Sequence, residues 1–533
     1  MTCLNRFSIL IVAALAAFAQ PRIAPDGVLN SASYAPAGYL NSGIAQGSLF
    51  VIQGSELGPE QPQSAGLPLP TDLAGVSVTV ADSDGASRSV YLYYVSARLI
   101  IALLPSATAT GPAKLTVTYQ GNPGAPASIV VGSRKVGIYT LNEAGSGPAV
   151  AQNFNSATDQ PVNTLVTPAR PGQIVTLWAT GLGAVAGDEA ASPQVGDLDH
   201  PTLYVGGKAA VVRYAGRSGC CVGLDQIVFE VPAGVEGCYV PVIAVTGVYG
   251  QVSTTRSVPT NGPSSNFATI SVASAGVCSD PTGLNGEELQ RLQTAGAGRF
   301  GMLEFDGNSQ GLGPDSLTAR FSRADFLSLL RSRGIFGLPS AGSCISYAPG
   351  PDPASTLFAT LDAGPSLTVS GSGGSRRLVR RPDGSYAAAP ANGFLRPGSY
   401  SIDNGSGGAD VGGFGATFNI PPFVNWLNPT VPVTELAPTV RWSGGDPDGY
   451  VIVTSVAQNI SSAANTVCVE ANAAGSFQIP AYAYAVTGAD GVFGRNPNTV
   501  AIGSAAAAAR FTAPGLEQGF IFATYFAQGV FVP

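Results

Sequence analysis

A twelve-residue design occurs twice in this chain: residues 47–58 read GSLFVIQGSELG and residues 172–183 read GQIVTLWATGLG. Each copy is a glycine, an apolar run of strand length, and a Gly-rich turn closed by Leu-Gly. Each follows an Asn-Ser-Ala segment (Asn30-Ser31-Ala32 and Asn155-Ser156-Ala157) and precedes another strand-like run (76–80 and 202–205). The copies lie 125 residues apart. That is too long for a solenoid unit and fits duplication of a small domain. The front half is therefore predicted to be two β modules, each closing its own interior between facing sheets. Modules of this kind more often bind or space than catalyse.

Short runs rich in Val, Ile and Tyr, bounded by Gly, Pro, Asp or Ser, read as strands. In residues 24–133 they fall at 49–53, 76–80, 90–95, 99–104, 114–119 and 128–131, with Asp82-Ser83-Asp84-Gly85 as a hairpin turn. In 134–275 they fall at 174–179, 202–205, 210–214, 226–231, 240–245 and 268–272. Trp178 is expected to anchor the second core, because large aromatics dominate burial in sandwiches. The loop 181–200 is longer than its first-copy counterpart. Together with 216–223 it is the expected ligand surface, since binding sits on long loops at sandwich ends.

Residues 276–343 change character. Charged residues interleave with Leu and Phe at helical spacing in 286–294 and 323–333, which predicts a linker with two short helices, the second capped by Ser322. Strands return at 366–370, 377–380, 385–388, 399–402 and 416–420, so 344–425 is expected to be a β-sandwich around the turn Arg381-Pro382-Asp383-Gly384. A last sandwich is expected over 426–533, with strands at 439–442, 450–455, 466–469, 477–479, 510–512 and 520–526 and the turn Asp446-Pro447-Asp448-Gly449. The apolar closing run 519–533 suits a final core strand. Residues 482–486 and 505–509 read as brief helices or irregular segments.

The N-terminus carries Arg6, an apolar run over 7–18, and Ala17-Phe18-Ala19 as a small-x-small cleavage pattern. This predicts a signal peptide over 1–19 and a mature chain beginning at Gln20. The run is too short to span a bilayer comfortably, and no later stretch reads as a membrane helix. Six cysteines follow: Cys220, Cys221, Cys238, Cys278, Cys344 and Cys468. An even number in an exported chain favours disulfides. Two bridges are expected among the first four, with Cys344 and Cys468 as a third pair. A zinc site fits poorly, because the adjacent Cys220 and Cys221 lack ligand spacing and there is one histidine to help. The expected location is the cell surface, the periplasm or the medium.

Charged residues are 11% of the chain and the net charge is −7. A nucleic-acid binder needs a basic face to displace counterions, and none is supplied. The densest basic spot, Arg376, Arg377, Arg380 and Arg381, reads as a solvated hairpin face. With 45% apolar residues the chain is not disordered despite 68 Gly and 41 Pro. A weakly charged surface rich in Ser, Thr and Gly suits an extracellular module whose partner is a glycan or a protein.

Four segments carry a family resemblance: GVLNSASY (27–34), LPTDLAGVSVTV (69–80), LYYVSARLIIALLP (92–105) and LYVGGKAAVVRYAGRSGCCVGLDQIVFEVP (203–232). They resemble an uncharacterised family of secreted C-terminal domains abundant in acidobacteria. The resemblance covers about residues 26–275. It departs from the family pattern where Ala97-Arg98-Leu99-Ile100 stands for Pro-Gly-Gln-Ile, while Asp225-Gln226-Ile227 keeps part of it. It implies Ig-like or IPT/TIG-like sandwiches and no activity. Segments from Asp362 and from Trp442 onward look like domains that accompany this family.

Catalytic constellations are sparse. Residues 307–311 fit Gly-x-Ser-x-Gly, but a nucleophile elbow needs a strand, a helix and a later histidine, and the sole histidine, His200, lies upstream. His200 reads as a loop residue. Asp82/Asp84 and Asp446/Asp448 read as turn aspartates rather than a calcium loop. The expected class is thus all-β: tandem Ig-like β-sandwich modules, a short helical linker and further C-terminal β domains, with no catalytic residues, no cofactor and no metal. The expected role is extracellular binding, adhesion or structural display. The alternative is a secreted glycan-active enzyme or carbohydrate-binding accessory, with Asp197 and Asp199 in a loop cleft.

Overall fold

The computed structural model describes residues 20–39, 41–186, 190, 196–246, 264–280, 283–309, 312–334, 336–347, 358–429, 438–458, 463–484 and 498–532. The signal peptide expected over 1–19 lies outside them. The chain is all-β, with two short α-helices among the described residues.

The first module is two facing sheets. One runs, in spatial order, Arg22–Asn30, Leu49–Ser55, Leu99–Leu103, Tyr91–Val95 and Gln63–Ser64. The other runs Ile44–Ala45, Ala127–Gly132, Gly111–Tyr119, Val76–Ala81 and Asp72–Leu73. Strand alternation puts every second side chain between the sheets. Phe50, Ile52, Leu92, Ile100 and Ala102 from one face meet Val76, Val78, Val80, Leu115, Val117 and Val131 from the other.

The second module repeats this arrangement in its main strands, though its last edge strand follows its partner where that of the first module precedes it. Its first sheet runs Gly137–Ile138, Ile174–Thr180, Asp225–Glu230, Val211–Arg217 and Gly196–Asp197. Its second runs Gly147–Pro148, Ala268–Val272, Gly237–Val245, Thr202–Val205 and Lys208–Ala209. Two irregularities are duplicated as well. In both modules a short edge strand pairs parallel to the last strand. In both, a bulge precedes a tyrosine in the equivalent strand, at Leu92/Tyr94 and at Val212/Tyr214. The repeated turns match too: Gly47 and Gly172, and Glu56 and Gly181, all have positive φ.

Beyond residue 276 the fold departs from the sequence reading. The helix Gly286–Ala295 forms where predicted, with Asn285 and Glu288 in a reciprocal capping box. The second helix is only Phe326–Arg331, and its cap is Asp325, whose carboxylate accepts from Ser328 N, rather than Ser322. Between them the expected linker carries a hairpin of two long strands, Ala297–Asn308 and Ser316–Asp325. Burial over Ala297–Asn308 alternates with period two from Gly301 through Leu303 and Phe305 to Gly307, while Phe300 is buried on the opposite face, and the charges between them interrupt the pattern.

This hairpin binds the two later segments together. The last strand, Gln518–Val532, pairs parallel with Ala297–Asn308 on one side and antiparallel with Asn498–Ala505 on the other. The strands expected in two separate sandwiches consequently share one sheet, fourteen-stranded among the described residues. It serves two cores. Leu303, Phe305, Phe321, Tyr386 and Phe418 fill one. Trp426, Trp442, Val451, Val453 and Ile502 fill the other, closed by a small sheet through Thr439–Gly444. Residues 481–484 form a 3-10 turn, and 506–508 are irregular.

The six cysteines lie in three pairs: Cys220 with Cys221, Cys238 with Cys278, and Cys344 with Cys468. The second pair ties the second module to the segment leading into the first helix. The third joins directly opposed residues of Ser343–Tyr347 and Ala463–Ala471. Non-reducing peptide mapping of the exported protein is expected to return these three links and no free thiol among the six. Several free thiols would contradict the pairing.

Candidate binding surface

Parts of the loops predicted to meet a ligand, at Ala190 and Val222, instead meet the first module, while 187–189 and 191–195 lie outside the described residues. Val222 is buried in a cluster with Leu49, Leu69, Leu103 and Ala190, packed by Tyr91 and Tyr93. Tyr93 donates its hydroxyl to Val222 O at 2.5 Å, and Leu69 N donates to Ala190 O at 2.9 Å. Gly223 sits at φ +72°, and a Cβ there would come within 2.7 Å of Leu103 Cδ1. Val222 and Ala190 are apolar because they form an intramolecular plug.

A buried polar network reinforces the plug. Arg217 is 2% exposed and Asp225 fully buried, and the two are ion-paired. The Arg217 guanidinium also donates to Gly47 O of the first module at 2.6 Å and to Gly183 O at 2.8 Å. Asp225 accepts from Leu182 N at 2.8 Å. Burial pushes its carboxyl up, against the pull of Arg217. Thr180 Oγ1 accepts from Leu49 N at 2.9 Å and donates to Gly223 O at 3.1 Å. Asn30 Nδ2 donates to Lys135 O, and the Ser31 and Tyr139 hydroxyls are bonded at 2.7 Å. Every hydrogen-bonding group brought into the seam named here has a partner, which is what a buried polar seam requires.

The second module is covered on another side. The outer face of its Thr202–Val205 and Gly237–Val245 sheet carries Tyr204, Ile243 and Val245, which pack with Phe267, Ile345 and Tyr482. Tyr204 and Tyr482 have ring centroids 4.5 Å apart. Cys238, Tyr239 and Ala273 enter a further cluster with the helix residues Leu289, Leu292 and Leu329.

The outer face of the opposite sheet carries Trp178. The expectation that Trp178 anchors the core is corrected here: Val175, Leu177 and Ala179 point inward, so Trp178 lies on the outward register, half-buried. Its counterpart in the first copy, Gln53, is exposed. Trp178 Nε1 donates to Gln152 Oε1 at 3.0 Å, which fixes the indole. Register places Gln226 beside Trp178 on one flank, and Gln152 and Val228 on either side of Thr176. Phe154, 44% exposed, donates its N–H to Ile174 O and so continues the same face. Charges at its edge are Arg213 and Glu230, paired at 2.7 Å, with Asp197 opposite Gly216 and Arg170 beside Phe154.

Other residues singled out in the sequence are accounted for locally. His200 Nε2 lies 2.8 Å from Asp197 Oδ1. Asp197 also accepts from Ala215 N, and these bonds hold its carboxyl below the usual range. Asp199 contributes its carbonyl to Arg134. Asp82 accepts from Arg88 Nε and from the N–H groups of Asp84, Ala86 and Ala109, a structural turn. Asp446 caps its own turn through Asp448 N. Ser309 Oγ donates to Ala527 O at 2.7 Å. Of the basic spot, Arg376 lies over the Phe394 ring, Arg377 bonds Ser366 Oγ, and Arg380 sits 3.8 Å from Asp362. Cys220 and Cys221 form the exposed tip of the 218–224 turn.

No protein-family model matches the sequence, and no curated protein matches it. Among solved structures the chain is similar to a tetra-tandem repeat in the extending region of a large adhesion protein, at 11% identity over 91% of this chain and 96% of that one, TM-score 0.13. It is similar to the Bacteroides ovatus mixed-linkage glucan utilization locus protein SGBP-B, solved with a mixed-linkage heptasaccharide, at 11% identity over 87% and 97%, TM-score 0.15. It is also similar to domains 5-6 of the S-layer protein SbsC, at 12% identity over 42% and 91%, TM-score 0.14. With TM-scores this low, none of these bears on what the chain binds.

Proposed function

We propose that this is an exported, non-catalytic protein that holds β-sandwich modules in a fixed arrangement for extracellular binding, adhesion or display. The observation that carries this reading is the seam between the first two modules. A passive flexible string has no use for a buried Arg217–Asp225 pair bridging to Gly47 O. Fixed geometry is what a presenting or adhesive surface requires, because a preorganised surface loses less entropy on binding. The paired cysteines support an oxidising destination. In this reading residues 1–19 are the leader, 24–133 and 134–275 are the duplicated modules, and everything after 276 acts as one body.

The test is expression of the full chain with its leader in a bacterial host. The expected outcome is a product beginning at Gln20, recovered outside the cytoplasm. Immobilised, it is expected to retain cells or cell-wall material, and it should release no reducing sugar from a polysaccharide panel. A cytoplasmic product starting at Met1, or hydrolysis of any polysaccharide, would refute it.

A further inference from the structure

We infer that the outer face of the Ile174–Thr180 sheet, from Trp178 to Phe154, binds a neutral, extended, β-linked polysaccharide. The inference deepens the binding reading above and rests on it.

Of the faces described for the second module, this is the one left to solvent. The loop end is taken by the first module through Val222 and Arg217. The opposite sheet is taken by the C-terminal body through Tyr204 and Tyr482. Among the described residues, the hydrogen bonds of the Trp178 and Gln152 side chains stay within the module.

The composition of the face selects the ligand. An indole and a phenyl ring offer flat apolar surface, on which the C–H faces of sugar rings lie. Gln226 beside Trp178, and the Gln152 amide opposite Thr176 with the capacity left after its bonds to Trp178 and Gln160, supply donors and acceptors for hydroxyl groups. Arg213 and Glu230 neutralise each other, and the other charges bordering the face, Asp197 opposite Gly216 at the Trp178 end and Arg170 beside Phe154, are single and of opposite sign. An anionic or cationic ligand therefore finds no complementary field, and an uncharged polyhydroxyl chain finds no repulsive one. The alternation of Thr176, Gln152 and Gln226 with the apolar groups breaks up the continuous apolar patch that a protein partner would want.

Geometry sets the extent. Four residues along a strand and one strand across separate Trp178 from Phe154, which is about 14 Å at ordinary strand dimensions. A row of pyranose rings in an extended chain spans that length; Trp178 sits within a strand, and Phe154 directly follows the strand Ala151–Asn153 and is held to Ile174 by its backbone N–H. The Trp178 Nε1 to Gln152 bond orients the indole before any ligand arrives, so little is lost in ordering it.

The probe is native electrophoresis of the mature protein in gels containing hydroxyethylcellulose, a neutral β-linked glucan. Parallel gels hold carboxymethylcellulose (the same backbone made anionic) and the α-linked glucan dextran. Retardation is expected with hydroxyethylcellulose, at least several-fold weaker affinity with carboxymethylcellulose, and none with dextran. Phe154→Ala, at an exposed position, is expected to weaken binding several-fold. Trp178→Gln, which installs the residue found at the equivalent Gln53, is expected to weaken it at least tenfold while leaving the unfolding transition in place. An unretarded wild-type protein in hydroxyethylcellulose would overturn the inference. Retardation that survives both substitutions would overturn the location. Either result leaves the cell-retention assay above to decide the broader reading on its own.

Discussion

Replacing Arg217 with methionine is expected to lower the free energy at which the second module opens by about 3–5 kcal/mol. The side chain is 2% exposed and its partner Asp225 is fully buried. Removal leaves a carboxylate without its counter-charge, and it orphans Gly47 O and Gly183 O, which accept from the same guanidinium. The cost comes from desolvated groups left unpaired rather than from the intrinsic worth of an ion pair. The double replacement Arg217→Met with Asp225→Leu is expected to recover part of the loss, since an apolar pair can replace a buried ionic one. Native-state hydrogen exchange of Ile174–Thr180 and Asp225–Glu230 reads the change in the intact protein. Exchange in the first module is expected to rise as well, around Leu49, because its N–H bonds Thr180 across the seam. An unchanged exchange rate in both modules would mean that they are not joined through this pair.

The stability of the C-terminal body is expected to fall by about 3 kcal/mol between pH 4.5 and pH 7. Glu304 lies on the face of Ala297–Asn308 opposite Leu303 and Phe305. Its carboxyl is pushed up to about 7, first by burial and then by the charge of Asp306, against a smaller pull from Arg320. Burial raises Asp306 in the same direction, and a bond from Thr524 Oγ1 at 2.6 Å opposes it. A carboxyl raised in the folded state holds its proton when the unfolded chain has lost it. The stabilisation is therefore complete below the unfolded value near 4.5 and is lost as pH rises through about 7. Carboxyls held low, such as Asp197 and Asp325, act in more acidic solution and with the opposite sign, so they do not mask this window. Glu304→Gln is expected to flatten the slope, measured by urea unfolding of the mature protein at pH 5 and pH 8. A slope that survives the substitution would assign it to other groups.

Strand positions were legible because alternation is local. The runs 76–80, 202–205 and 268–272 are strands in the structure with one-residue margins or none. The duplication was legible for the same reason, since a turn that requires positive φ leaves glycine in the sequence at Gly47 and Gly172. Trp178 was misassigned although its register was in plain view. Val175, Leu177 and Ala179 fix the inward phase, and a large aromatic on the opposite phase must face out. The hairpin from Ala297 to Asp325 was missed because Glu304, Asp306, Arg320 and Arg323 interrupt its hydrophobicity. Glu304, Asp306 and Arg320 share the face of the hairpin opposite Leu303 and Phe305, and Arg323 ends the other face next to the helix cap.

The amino-acid order alone determined the β class, the two repeated modules and, where alternation is unbroken, the outward or inward phase of a strand, because these depend on neighbours one and two residues away. Which surfaces remain free was decided by tertiary structure. The loop 216–223 looks like any exposed loop until Leu49 and Leu103, more than a hundred residues earlier, close over Val222. The last strand pairs with Ala297–Asn308 in the interior of the shared sheet, between strands far apart in the sequence. Burial between distant segments is a sum over contacts that no local pattern encodes, and here it separates a plugged loop from an open sheet face.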